Sequence, residues 1–189
     1  MTILSDGELR GAIARGEIAF EPEIDLSTQL QPASVDLRLG RSFASFRSLW
    51  PLSSPIIKPG ETDVESLMER SEGEQYVLPP GEFVLATTME TVWVAPFFVA
   101  RVEGRSSFGR LGLMVHVTAG LIDPGVEGEI TLEMANAGRF PLVLRSGTRI
   151  CQLVFERLGR EAEQPYGVKE GAKYQGQKGA TASRLGNRG

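Results

Sequence analysis

One cysteine and one histidine in 189 residues leave this sequence little soft chemistry. A lone Cys151 excludes an internal disulfide. A zinc centre that activates water for attack on a nucleobase needs a His or Cys, two further Cys and a nearby Glu. One His and one Cys cannot build it within a subunit, so no zinc is expected. Serine catalysis through His116 is arithmetically open, but no nucleophile elbow lies near it. In Met114-Val115-His116-Val117-Thr118 it reads as a plain strand histidine. Long apolar runs are also missing. The longest, residues 91–100, is too short for a bilayer and contains Pro96. The first six residues, Met1-Thr2-Ile3-Leu4-Ser5-Asp6, lack the basic and apolar regions of a signal peptide. No membrane partner is expected, and the expected location is cytoplasmic. Nor is there an excess of positive charge. A net charge of -4 argues against a general nucleic-acid binder, though not against a local basic pocket.

What is present fits one soluble globular domain, with 41% hydrophobic and 23% charged residues. Ser5 and Glu8 have the spacing of a capping box, and Gly16 is a natural stop. Leu9, Ala12 and Ile13 share a face between them, predicting a short helix. From Phe20 onward the signals are those of strands and turns. Val35, Leu37 and Leu39 alternate with Asp36 and Arg38. Residues 63–70 predict a helical turn or two. Between 76 and 158 come short β runs: 83–87, 115–119, and Ile130, Leu132 and Met134 against Thr131, Glu133 and Ala135. Ser146-Gly147 reads as the tight turn of a hairpin between 142–145 and 149–155. Many short strands with regular turns indicate a mainly β sandwich or barrel. Residues 1–158 form that domain. Residues 159–189 are polar and rich in Gly, Gln and Lys, and read as an arm that is mobile or orders on binding.

Candidate chemistry clusters in the second half. Arg105, Ser106, Ser107 and Arg110 fall within six positions. Guanidinium forks match phosphate oxygens, and hydroxyls add neutral donors. Gly104, Gly109 and Gly112 allow close backbone approach. Taken alone, such a loop is equally a solvated turn. Asp123-Pro124-Gly125 suits a turn, in which Asp123 would act as a cap. Strand alternation puts Glu133 on one face with Thr131. There it either lies on a wet sheet face or lines a cleft suited to proton transfer. Tyr166, Lys173 and Gln177 in the arm could cover a sugar or base and close over phosphates.

Four segments, in order, resemble the dCTP deaminase family of the dUTPase-like superfamily. They are Gln31-Pro32-Ala33-Ser34-Val35-Asp36-Leu37-Arg38-Leu39-Gly40, residues 104–113, residues 115–125 and residues 172–179. The resemblance implies a distorted β-barrel of jelly-roll character, with a short N-terminal helix and a flexible C-terminal lid. It implies a homotrimer with active sites between subunits, and dCTP as ligand, with dUTP and dTTP as related ones. By motif position Glu133 is the catalytic glutamate. Ser106 and the carbonyl of Ala119 hold a water, and Arg110 orients Glu133. Arg105, Ser106, Ser107, Phe108, Gly109 and Arg110 bind the nucleotide. Thr118, Asp123, Thr131, Leu132, Tyr166, Lys173 and Gln177 complete the contacts. Mg²⁺ would ride on the triphosphate, with no direct protein ligand.

Gly120-Leu121 after Ala119, together with Gln152, resembles members that form dUMP and pyrophosphate directly. In that reading Asp123 serves a second water. Two alternatives are a deaminase that stops at dUTP and a dUTPase only. A third is a nucleotide-binding regulator without turnover.

Overall fold

The computed structural model describes residues 2–47 and 56–185. The expected helix is α1 (Asp6–Ala14). Its capping box is complete: Ser5 Oγ accepts from the Glu8 backbone N–H, and the Glu8 carboxylate accepts from the Ser5 N–H at 2.8 Å. Leu9 and Ala12 are buried in the main core.

The remaining architecture is β. Its first strands are β1 (Thr2–Ile3), β2 (Ile18–Glu21), β3 (Leu30–Gln31), β4 (Ser34–Phe46), β5 (Met68–Glu72) and β6 (Gln75–Leu78). Then come β7 (Phe83–Val94), β8 (Phe98–Gly104), the short helix α2 (Ser106–Gly109), β9 (Leu113–Met114) and β10 (Leu121–Ile122). The last are β11 (Glu127–Asn136), β12 (Leu142–Arg145) and β13 (Arg149–Arg157). Among the described residues eleven strands join one curled sheet, with the path β10-β8-β13-β4-β7-β11-β9. β4 is the strand that curls it. Its first half pairs with β3 and β13, its second half with β5 and β7. Leu37, Leu39, Phe43, Phe98, Leu132, Met134, Leu153 and Phe155 fill the core. No helix among the described residues is long and apolar enough to cross a membrane.

Two local expectations are corrected. Residues 115–119 are not a strand. β9 pairs with β11 while β10 pairs with β8, so the segment between them crosses from one end of the sheet to the other and joins no ladder. His116 therefore lies in a loop. Ser146-Gly147 is a turn but not a hairpin. β12 pairs with β6 and β13 with β4 and β8, and the turn docks on β4 through Gly147 N–H to the Leu39 carbonyl at 2.8 Å. The helical turn expected in residues 63–70 forms as a single 3₁₀ turn, Glu65–Leu67, and β5 begins at Met68, which packs in a small second core with Ala44, Ala180 and Ala182. Asp36, which alternates with apolar neighbours in the sequence, is itself buried. β4 is covered on both sides, and Asp36 is 1% exposed.

The arm after β13 is laid on the body. Composition underrates it because its packing uses small residues and backbone rather than large side chains. Ala180 and Ala182 are buried, and the Gly176 N–H donates to the Glu127 carbonyl at 2.8 Å. Two glycines make room. A Cβ on Gly125 would lie 2.6 Å from Pro165 Cβ, and one on Gly128 would lie 3.0 Å from the Gln177 nitrogen. Both have positive φ, +81° and +152°, where other residues are strained.

Glu90 is wholly buried and fully engaged. Its carboxylate accepts from Arg38 Nε at 2.6 Å, the Arg38 backbone N–H at 2.9 Å and Gln29 Nε2 at 3.0 Å. Breaking a buried pair from one side leaves its partner uncompensated, at a cost of about 3 kcal/mol or more. Glu90→Ala should therefore lose about that much in a denaturant titration. A loss under about 1 kcal/mol, the scale of an exposed pair, would show the network to be dispensable.

Candidate active site

A cavity of about 530 Å³ opens on the outer face of β11. Strand alternation explains which side chains reach it. Ile130, Leu132 and Met134 are buried on the core face, so Glu129, Thr131 and Glu133 are turned to the other. Those three line the cavity, with Phe83 and Leu85 from β7, Val102 from β8 and Ala119, Leu121 and Asp123 from the crossing segment and the turn after it. The arm closes the far side with Tyr166, Tyr174 and Gln177. Gln177 Nε2 donates to Thr131 Oγ1, and Gln177 Oε1 accepts from Thr181 Oγ1 at 2.8 Å. The cavity thus joins apolar side chains to two half-buried carboxylates, Glu129 and Glu133, two exposed ones, Asp123 and Glu127, and a fixed amide.

Of the residues singled out in the sequence, Ala119, Asp123, Thr131, Glu133, Tyr166 and Gln177 meet here. The Asp123 turn forms as expected, with Val126 N–H donating to the Asp123 carbonyl at 3.3 Å. Leu132 does not present its side chain. It is fully buried in the core, which leaves only its backbone for a ligand. Arg105, Ser106, Ser107, Phe108, Gly109, Arg110, Thr118, Gln152 and Lys173 do not line the cavity.

The phosphate-type residues form a second group, where β8 runs into α2. Ser106, Ser107, Gly109 and Arg110 are exposed there. Arg105 is held from behind. Its Nη1 donates to the Arg149 carbonyl at 2.8 Å, and its Nη2 lies 3.4 Å from Asp36 Oδ2. Arg149 Nη1 lies 3.2 Å from the same oxygen. Two guanidiniums on one carboxylate leave a net positive charge, suited to an anion. Gln152 belongs to this group: its Oε1 accepts from Ser34 Oγ at 3.0 Å, and its Nε2 faces the Gly104 carbonyl at 3.5 Å.

Asp36 and Arg149 were missed in the sequence. Asp36 stands in a strand pattern that fits a polar face equally well. Glu129 was also missed, although its spacing from Thr131 and Glu133 places it on their face. Cys151 is fully buried, and burial pushes its thiol up, so it stays neutral and is no nucleophile. Among the described residues no three His, Cys, Asp or Glu side chains converge as a metal site.

The model of the dCTP deaminase-like family matches residues 3–158. The chain belongs to the dCTP deaminase family. A dCTP deaminase of Natronomonas pharaonis is 50% identical, over 97% of this chain and 94% of that one. A dUMP-forming dCTP deaminase of Dictyoglomus thermophilum is 48% identical, over 97% of this chain and 94% of that one. Among solved structures, 2'-deoxycytidine 5'-triphosphate deaminase from Agrobacterium tumefaciens superposes with a TM-score of 0.63 at 30% identity. That match covers 83% of this chain and 48% of the Agrobacterium chain, so this chain spans about half the length of that relative.

Asp36 gives the deaminase fold a measurable pH signature. Burial pushes its carboxyl above the ordinary value, opposed by Arg105 and Arg149. A folded value above the unfolded one contributes stability that is present below the ordinary carboxylate range and is lost as pH rises through the raised value. Asp36→Asn has no such proton to lose. Its melting temperature should gain on the wild type as pH rises from about 4. A variant that falls progressively behind the wild type with rising pH would contradict this sign.

Proposed function

We propose that the protein is an enzyme that deaminates dCTP and carries the product to dUMP, releasing ammonia and pyrophosphate, at sites built between the subunits of a homotrimer. One observation carries the reading: each chain holds two complementary half-sites. Glu133 lies in an apolar-walled cavity with Ala119, Thr131 and Gln177, and the exposed cationic group of Arg105 to Arg110 stands outside it. A nucleotide needs both at once, the cavity for its base and the cations for its phosphates. Exposed Leu111, Met114, Val117 and Leu121 run beside these groups, as expected of a surface that another subunit covers.

In the first step a water is held near C4 of cytosine by the Ala119 carbonyl and by Ser106 of the adjoining chain. Glu133 takes one proton of the water as the oxygen bonds to C4 and gives it to N3, then passes the remaining hydroxyl proton of the tetrahedral intermediate to the departing amine. The C4–N bond breaks, ammonia leaves, and a uracil ring remains. Arg110 from the adjoining chain orients Glu133 and offsets the charge that develops. Thr131 and Gln177 present an exchangeable hydroxyl and amide to the base edge. Tyr166 covers the sugar above the Asp123 turn, and Lys173 reaches the phosphates.

In the second step Asp123 directs another water to the α-phosphorus, and the bond to the bridging oxygen breaks with pyrophosphate as leaving group. Gln152 supports this step from its place beside Gly104 in the phosphate group. Several relatives carry the dUMP-forming name, and others are named dCTP deaminase alone. Mg²⁺ fits as a companion of the triphosphate, because it takes phosphate oxygens and few protein ligands; it would neutralise the leaving pyrophosphate.

Product analysis tests the reading directly. Incubation with dCTP and magnesium should give ammonia, pyrophosphate and dUMP in equal amounts. Ammonia and dUTP without pyrophosphate would reduce the activity to deamination. Pyrophosphate from dUTP with no ammonia from dCTP would leave a dUTPase.

The subunit arrangement has its own test. Glu133→Gln and Arg110→Ala should each lower deamination by two orders of magnitude or more, roughly the scale of a removed acid/base or charge-stabilising group. Co-expressed, the two variants should recover about a quarter of wild-type sites by random assortment in a cyclic oligomer. No recovery in mixed oligomers would place both groups in one chain's site.

A further inference from the structure

Glu129 has no part in the chemistry above, yet it stands two residues from Thr131 and four from Glu133 on the same face of β11. Its Oε2 accepts the Gly179 backbone N–H at 2.8 Å. Its own N–H donates to the Gln177 carbonyl at 3.0 Å, so both ends of the residue grip the arm. Next along, the Ala180 N–H donates to Ser42 Oγ at 2.9 Å, and the Ala180 carbonyl accepts from Arg70. Between the two grips of Glu129 lies one exposed residue, Lys178. Gln177, at the head of this tie, is the arm residue whose amide reaches Thr131.

We propose that Glu129 is a positioning residue, whose carboxylate clasps the arm at Gly179 and so sets the Gln177 amide against Thr131, beside Glu133. The physical case is that a polar arm cannot dock by apolar burial alone. Beyond Ala180 and Ala182 it offers mainly backbone groups, and those need fixed partners where it leaves solvent. A carboxylate that accepts a backbone N–H is a strong one, because the acceptor is charged. Loss of the clasp leaves the catalytic carboxylate in place but lets the amide wander, which weakens nucleotide binding more than turnover. The proposal rests on the placement of the base in the Glu133 cavity argued above.

The test combines kinetics with hydrogen exchange on the full-length protein, using Glu129→Ala, Glu129→Gln, Gln177→Ala and the Glu129→Ala/Gln177→Ala double variant. Glu129→Ala should raise KM for dCTP roughly tenfold, with kcat within about threefold. Glu129→Gln keeps an acceptor oxygen and should recover most of that loss. The double variant should bind no worse than the poorer single one, because both changes remove the same contact. Without nucleotide, residues 176–180 should lose amide protection in Glu129→Ala and retain it in Gln177→Ala. Unchanged protection in Glu129→Ala overturns the proposal whatever the kinetics, as do losses that multiply in the double variant. If protection falls but Gln177→Ala handles dCTP like the wild type, it is the base placement that fails, and the positioning role falls with it.

Discussion

The alternation of β11 is the constraint on which the rest depends. Successive side chains of a strand point to opposite faces, so filling the core with Ile130, Leu132 and Met134 leaves no other direction for Glu129, Thr131 and Glu133. A slip of one residue would bury three polar groups and expose three large apolar ones. The register is pinned against that slip by the long ladder to β7 and by an irregularity between Glu129 and Thr131. There the Ile130 N–H donates to Thr88 Oγ1 at 3.0 Å, and the Thr88 hydroxyl donates to the Glu90 carbonyl at 2.7 Å. The irregularity is therefore satisfied rather than strained, and it joins the candidate site to the buried network around Glu90.

How far this was legible in the sequence follows from how local each signal is. The capping box at Ser5 and Glu8, the turn at Asp123-Pro124-Gly125 and the alternation at 130–135 depend on neighbours in the chain, and each forms as expected. Residues 115–119 have strand composition, but their flanks pair with different strands, so tertiary connectivity overrides propensity. The turn at Ser146-Gly147 was readable; the partners of the strands on either side of it were not, because pairing is a long-range choice. Asp36 shows the same limit. Only the structure reveals that β4 is covered on both faces and that Arg105, just past β8, and Arg149, on β13, meet Asp36. The resemblance names Glu133 and Arg110 together in a site between subunits, and within one chain Arg110 is not among the residues that line the Glu133 cavity.

That separation has an electrostatic logic. A carboxylate meant to take a proton from water must not be spent on a permanent ion pair within its own chain. Here Arg105 and Arg149 are already answered by a different carboxylate, the buried Asp36, which anchors both. The pair of guanidiniums keeps a net positive charge toward the exposed loop, while Glu133 stays in an apolar-walled cavity without a cation lining it. Assembly, in the proposed arrangement, brings the two charges together only around a nucleotide that needs both.

The arm completes the argument from the opposite direction. In the proposed reaction the cavity has to be covered to exclude water, yet a cover with a large apolar face would close it for good. An arm held by backbone bonds, two small alanines and a few side-chain acceptors docks with modest energy at each point. Its crossings pass over Gly125 and Gly128, where a side chain on the body would crowd it. Under the proposed function, the arm's polar composition, which by itself reads as disorder, lets one segment supply both a lining for the site and a cover that can be released.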